Sequence, residues 1–178
     1  MFFNKQPLFF VETPHSECFK AWAEHQHSLT DKLVQLKGSS QLEVLFQNWI
    51  KPNWWDTYFL QINDELIYQR EIIMRHKDTE YWYARTIIPE TCYEVAPTFF
   101  DRLNSESIKN LIFGESQVRC SNRICYPVDE QCLEFYWAKK YLPDTKGTLW
   151  CRLAEYQFQH KASFYLIELL LPELGTVA

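Results

Sequence analysis

Between Leu66 and Pro89 the chain reads LIYQREIIMRHKDTEYWYARTIIP, two strand-forming runs on either side of the polar Lys77-Asp78-Thr79. Period-two alternation puts Leu66, Tyr68, Arg70, Ile72 and Met74 on one face of the first run. It puts Tyr81, Tyr83, Arg85 and Ile87 on one face of the second. Each face is mostly apolar or aromatic and carries one arginine. A guanidinium directed at a core needs an anionic partner or ligand, because an unpaired buried charge is costly. Near the C-terminus, FYLIELLLP embeds Glu168 in an apolar strand with apolar neighbours on both faces. Two inward arginines and one inward glutamate outline a pocket for a small carboxylated ligand. The same residues also fit a plainer arrangement, with arginines lying along a sheet edge or paired with acids for stability alone.

The remaining elements follow from spacing. Residues 1–14 read as extended, punctuated by Pro7 and Pro14. From Ser16 to Leu36, Phe19, Trp22, Leu29, Leu33 and Leu36 recur at roughly helical spacing. Ser28 followed by Asp31 has a capping-box pattern that starts a second helix, and Lys37-Gly38-Ser39-Ser40 stops it. QLEVLFQNWI, from Gln41, predicts a strand. After a turn at Lys51-Pro52-Asn53, Trp54–Ile62 reads as a further aromatic strand with Trp54 and Trp55 packing on opposite sides. Residues 97–113 read as a helix with the stripe Phe100, Leu103, Ile108, Leu111 and Ile112, stopped at Gly114. ESQVRCSNRICYPV is a strand candidate, and DEQCLEFYWAKKY has helical spacing in part. LWCRLAEYQFQ and ASFYLIELLL form a hairpin turning at His160-Lys161 and closed by Pro172. The strand connections are too short for parallel crossovers. The expected fold is therefore α+β, one domain over residues 1–178, with a mainly antiparallel sheet and helices packed against it.

Several classes of function are disfavoured. With 4 Gly and no G-x-G-x-x-G or Walker pattern, the chain has no glycine-rich nucleotide cradle. A formal charge of -5 argues against a nucleic-acid surface. No apolar run approaches the roughly 20 residues that span a bilayer. The opening MFFNKQPLFFVE is too broken for a secretory segment, so the cytoplasm is the expected location. Six cysteines without a C-x-x-C pair read as reduced thiols rather than a metal site. His25-x-His27 with Cys18 upstream fits no metal motif, and no G-x-S-x-G elbow holds a nucleophilic serine. Glu71 falls on the face opposite Arg70, where a supporting role is open to it.

Six short pieces then occur in a telling order: Ser28-Leu29-Thr30, REII at 70–73, ARTIIP at 84–89, LIF at 111–113, Arg119, and ELLLP at 168–172. Together they make the chain similar to the chorismate lyases, also called 4-hydroxybenzoate synthases. The resemblance implies a cofactor-independent carbon–oxygen lyase that eliminates pyruvate from chorismate. The product is 4-hydroxybenzoate, the first step toward ubiquinone. It also implies an enclosed site under helical flaps, and a monomer. By matching motif, Arg70 would hold a substrate or product carboxylate, and Glu168 would lie near the ring oxygen. Leu29 and Ile108 would line the substrate pocket, and Arg85 would join Arg70 and Glu168 in the catalytic set. The sequence departs from the family pattern in three places. Leu29 stands where methionine is usual, alanine replaces glycine before Arg85, and the stretch between Arg119 and Glu168 is long. The competing reading is a non-catalytic domain of related fold that binds a small aromatic or carboxylic effector.

Overall fold

The computed structural model describes residues 17–177, so the extended reading of residues 1–14 lies outside the described residues. Six strands form one antiparallel sheet: β1 (Gln41–Ile50), β2 (Ile67–His76), β3 (Thr79–Pro89), β4 (Val118–Val128), β5 (Leu149–Phe158) and β6 (Ala162–Leu170). Their order is β1-β2-β3-β6-β5-β4, two three-stranded meanders joined where β3 meets β6. The hairpins expected at Lys77-Asp78 and His160-Lys161 are both present, and Lys77 and His160 adopt positive φ to make the tight turns. The fold is α+β, with an open antiparallel sheet flanked by helices.

Register decides which side chains share a face. Ile72, Ala84, Glu168 and Arg152 stand in one row across β2, β3, β6 and β5. Helices α1 (Glu17–Ala23) and α2 (Leu29–Lys37) cover this face, and so does the last turn at Pro172–Thr176. Trp22, Leu29, Leu33 and Leu174 pack there against Met74, Trp82, Phe164 and Leu170. The opposite face carries Tyr83, Ile87, Leu153 and Ile167 against two other helices, α3 (Trp54–Phe59) and α7 (Leu133–Lys139). Both faces are therefore buried, which explains strands that read as continuous apolar runs.

Three expectations about local structure change. Trp54–Phe59 is helical, not a strand, because Asn53 and Asp56 form a reciprocal capping box. That helix buries Trp55 and leaves Trp54 65% exposed, stacked on Tyr58. The stretch 97–113 is not one helix. After α4 (Glu90–Val95) it divides into α5 (Pro97–Asp101), a 3₁₀ turn at Arg102–Asn104, and α6 (Ile108–Phe113). The polar run Asn104-Ser105-Glu106-Ser107 breaks the ladder, since short polar side chains compete for backbone partners. Its apolar residues Phe100, Leu103 and Leu111 still reach the core. Finally, Tyr81 and Tyr83 do not share a face: a register irregularity beside Met74 turns Tyr81 to the side of Trp82. At the end of α6, a Cβ on Gly114 would lie 2.5 Å from the Asn110 carbonyl oxygen, so this stop requires glycine. No described helix is long and apolar enough to cross a membrane.

Candidate functional site

A cavity lies between the sheet and the N-terminal ends of α2 and α6. Ile72, Met74, Trp82, Ala84 and Leu166 form its sheet side, and Leu29 and Ile108 close it from the helices. Counted as the space a water centre can visit, its volume is about 40 Å³. That is small beside the roughly 150 Å³ of a cavity that takes up benzene.

The helices are set in place by short-range chemistry. Ser28 caps α2 by accepting the Asp31 N–H at 3.1 Å, which fixes Leu29 facing inward with 3% exposure. Lys109 Nζ meets Asp31 Oδ1 at 2.5 Å and ties α6 to α2. Arg70 Nη1 donates to the Glu106 carbonyl at 3.0 Å and holds the turn that leads into α6. Burial draws the Arg70 guanidinium below its ordinary pKa, partly offset by Tyr68.

The inner wall is polar. Arg152 Nη1 lies 3.2 Å from Glu168 Oε2, and the two residues face each other across β5 and β6. Arg152 Nη2 donates to the His25 carbonyl at 2.8 Å. Arg123 Nη1 donates to the same oxygen at 3.2 Å, and its Nη2 reaches the Tyr156 hydroxyl at 3.4 Å. Tyr156 borders the cavity, and burial followed by the nearby Glu168 raises its pKa, so it remains a neutral phenol. The wall thus offers a ligand the Arg152 guanidinium, with Arg123 behind it, a phenol and a carboxylate acceptor within an otherwise apolar lining.

The residues singled out in the sequence do not all converge here. Leu29, Ile108 and Glu168 border the cavity. Arg70 shares the sheet face of Glu168 but stands two strands away and one pleat along, about 10 Å across and about 7 Å down the strands. It does not border the cavity. Arg85 points to the opposite face and is no part of this site. Its Nη1 and Nη2 contact Asp56 Oδ1 and Oδ2 at 2.8 and 3.0 Å, and its Nε donates to Gln69 Oε1 at 2.8 Å. The Trp137 ring covers the guanidinium at 4.6 Å. Glu71 belongs to the same opposite layer, where it accepts from Tyr141 Oη and Gln69 Nε2, both at 2.5 Å. Arg152, Arg123 and Tyr156 were not anticipated. Alternation along LWCRLAEYQF places Arg152 and Tyr156 on one apolar face, the same signal that marked Arg70. Among the described residues no group of three or more His, Cys, Asp or Glu could hold a metal ion.

The sequence profile described as chorismate lyase matches residues 12–173. The chain belongs to the chorismate lyase family. Among curated proteins none matches the chain. Solved structures of similar fold include a GntR-family transcriptional regulator from Enterococcus faecalis V583. It has TM-score 0.54 and 17% identity, with 75% of this chain and 94% of that chain covered. The effector domain of PhnF from Mycobacterium smegmatis has TM-score 0.58 and 10% identity, covering 84% and 91%. Against the longer PhnF chain the match covers 66% of that protein, just under two thirds. The C-terminal domain of the histidine utilization repressor from Pseudomonas syringae pv. tomato str. DC3000 has TM-score 0.56 and 10% identity, covering 75% and 92%. At these identities the likeness concerns the fold.

These structures correct the expected activity. One is a transcriptional regulator, one an effector domain and one a domain of a repressor, and none is described as a lyase. Family membership sets ancestry and fold, while function resides in the site. The expectation of an enzyme releasing pyruvate from chorismate on the way to ubiquinone is not upheld by them. The position of Arg85 agrees, since one member of the expected catalytic set sits across the sheet from the other two.

Proposed function

We propose that the chain is a single, non-catalytic domain that binds a small aromatic or other carboxylic effector in the cavity under α2 and α6. The observation that carries this reading is the buried Arg152–Glu168 pair on the wall of an otherwise apolar cavity. Apolar walls take up a ring or carbon skeleton, and a few fixed polar groups set its orientation. In this reading Leu29 and Ile108 contribute apolar contacts, and Glu168 accepts a ligand hydrogen bond. Arg70 acts indirectly, by holding the turn before α6. The ligand is a small acid rather than nucleic acid, in keeping with the net charge of -5. A monomeric protein of the cytoplasm belongs to the same proposal.

Thermal unfolding with millimolar benzoate and a panel of related aromatic acids tests it, since a ligand that binds only the folded state raises Tm. At least one acid is expected to raise the midpoint. A panel without effect overturns the reading. Incubation with chorismate is expected to release no pyruvate, and steady release would equally overturn it.

A further inference from the structure

His25 lies in the loop 24–28 between α1 and α2, and its carbonyl oxygen receives two guanidinium groups from adjacent strands. Arg152 Nη2 donates at 2.8 Å and Arg123 Nη1 at 3.2 Å. Arg123 Nη1 also reaches Gln26 Oε1 at 3.1 Å. Arg152 is 2% exposed. Among the described residues its Nε and that of Arg123 are buried without hydrogen-bond partners, and Arg152 Nη1 approaches Glu168 without an aligned hydrogen bond. Each guanidinium carries five N–H donors in a planar fork. Their hydrogen-bond acceptors, the His25 carbonyl, Gln26 Oε1 and the Tyr156 hydroxyl, are all neutral, and Glu168 is a single carboxylate beside two guanidinium groups, so positive charge is in excess. A carboxylate suits such forks better than a peptide carbonyl does, through parallel charge-assisted hydrogen bonds.

The same loop supplies His27 and Ser28 to the cavity wall, which puts this cluster at the cavity's boundary. A space of about 40 Å³ is well below the roughly 150 Å³ of a cavity that takes up benzene, so a wall must yield to admit a six-membered ring. The turn before α6 is held by Arg70, Tyr68 and Gln47, none of which borders the cavity. The loop 24–28 is held by Arg152, which does, so a ligand can replace that attachment.

We propose that Arg123 and Arg152 form an oxyanion subsite at this end of the cavity. The carboxylate of the ligand displaces the His25 carbonyl from both guanidinium groups, and the loop 24–28 lifts as it does so. This rests on the cavity being the ligand site, as proposed above, and adds which end receives the anion and which segment moves.

The test is calorimetric titration of the full chain with benzoate, wild type against Arg123→Gln, with amide hydrogen exchange over residues 24–28. Arg123 does not border the cavity, so a rigid cavity predicts no effect of this substitution. The subsite predicts a loss of about tenfold in benzoate affinity, typical of one charge-assisted contact, and faster exchange of the loop when benzoate is bound. Unchanged affinity, or slower exchange over 24–28 in the complex, overturns the subsite and leaves the cavity reading standing. If wild-type protein does not bind benzoate at all, the cavity reading fails for this acid and the subsite fails with it. If Arg123→Gln does not fold, Arg123→Lys carries the test. It keeps the charge but loses the fork, and affinity equal to wild type overturns the subsite.

Discussion

Arg85 and Asp56 form a two-pronged ion pair at 2.8 and 3.0 Å in the layer behind the cavity, with 2% and 0% of their surfaces exposed. The pair fastens α3 to the middle of the sheet, and Asp56 also caps that helix. Removing one partner of a buried pair leaves a charge with neither water nor counter-ion. Asp56→Ala is therefore expected to destabilise the fold by about 3–5 kcal/mol. Denaturant unfolding measures this directly. A loss below about 1 kcal/mol would show that the pair is dispensable.

The loop that carries His25 is expected to respond to pH. Burial first, then Lys32, Arg152, His27 and Arg123, lower the His25 pKa below its ordinary 6.5. A lowered histidine pKa means that the folded state resists the proton. The stability it contributes is complete above the unfolded value and is lost as pH falls from near 6.5 through the folded value. Imidazole titration by NMR should give a His25 midpoint below 6.5, and Arg152→Gln should raise it. A midpoint at or above 6.5 in the wild type would contradict the crowding of cations around this ring.

Thiol reactivity should separate the cysteines by environment. Burial pushes the Cys92 and Cys125 thiols up to about 12, whereas Cys120 lies exposed on β4. Thiolate is the reactive form, so a disulfide reagent at mildly alkaline pH should label Cys120 first and leave Cys92 and Cys125 unlabelled in the native protein. Mass spectrometry of the labelled peptides reads the order. Early labelling at Cys125 would mean that β4 opens more readily than its packing implies.

Arg70→Ala should act on the cavity from a distance. Without its bond to the Glu106 carbonyl, the turn before α6 keeps its tie to β2 only through the Tyr68 hydroxyl, which donates to Asn104 Oδ1 at 3.1 Å. Amide exchange over 105–110 is expected to accelerate, with a fewfold loss of benzoate affinity, since one part-buried hydrogen bond from a charged donor is at stake. An unchanged exchange pattern would remove Arg70 from the support of this wall.

Much of the fold was legible in the sequence because its signals are local. Alternation located both hairpins, and Ser28 with Asp31 located the start of α2. The strand predicted at Trp54 failed because its aromatic residues favour strands one by one, while the Asn53–Asp56 cap commits them to a helix together. The site was less legible for a geometric reason. Parity along one strand says that Arg70 and Arg85 each face inward, but this sheet is buried on both sides. Only the register of β2 with β3 reveals that they face opposite layers. Glu168 was visible as an acid in an apolar run, yet its partner Arg152 comes from a different strand, and nothing local in either segment names the other.

The seam between the two meanders also dictates how the chain can reach this architecture. Within each meander, paired strands are close neighbours in sequence, whereas Thr86 pairs with Leu166 across a closed loop of about eighty residues. Hairpins can form in microseconds, whereas zipping β3 to β6 waits on that long-range encounter and is expected to be the slower step. Glu168 and Ala84 face each other across that seam, so the cavity is assembled only once this long-range contact closes.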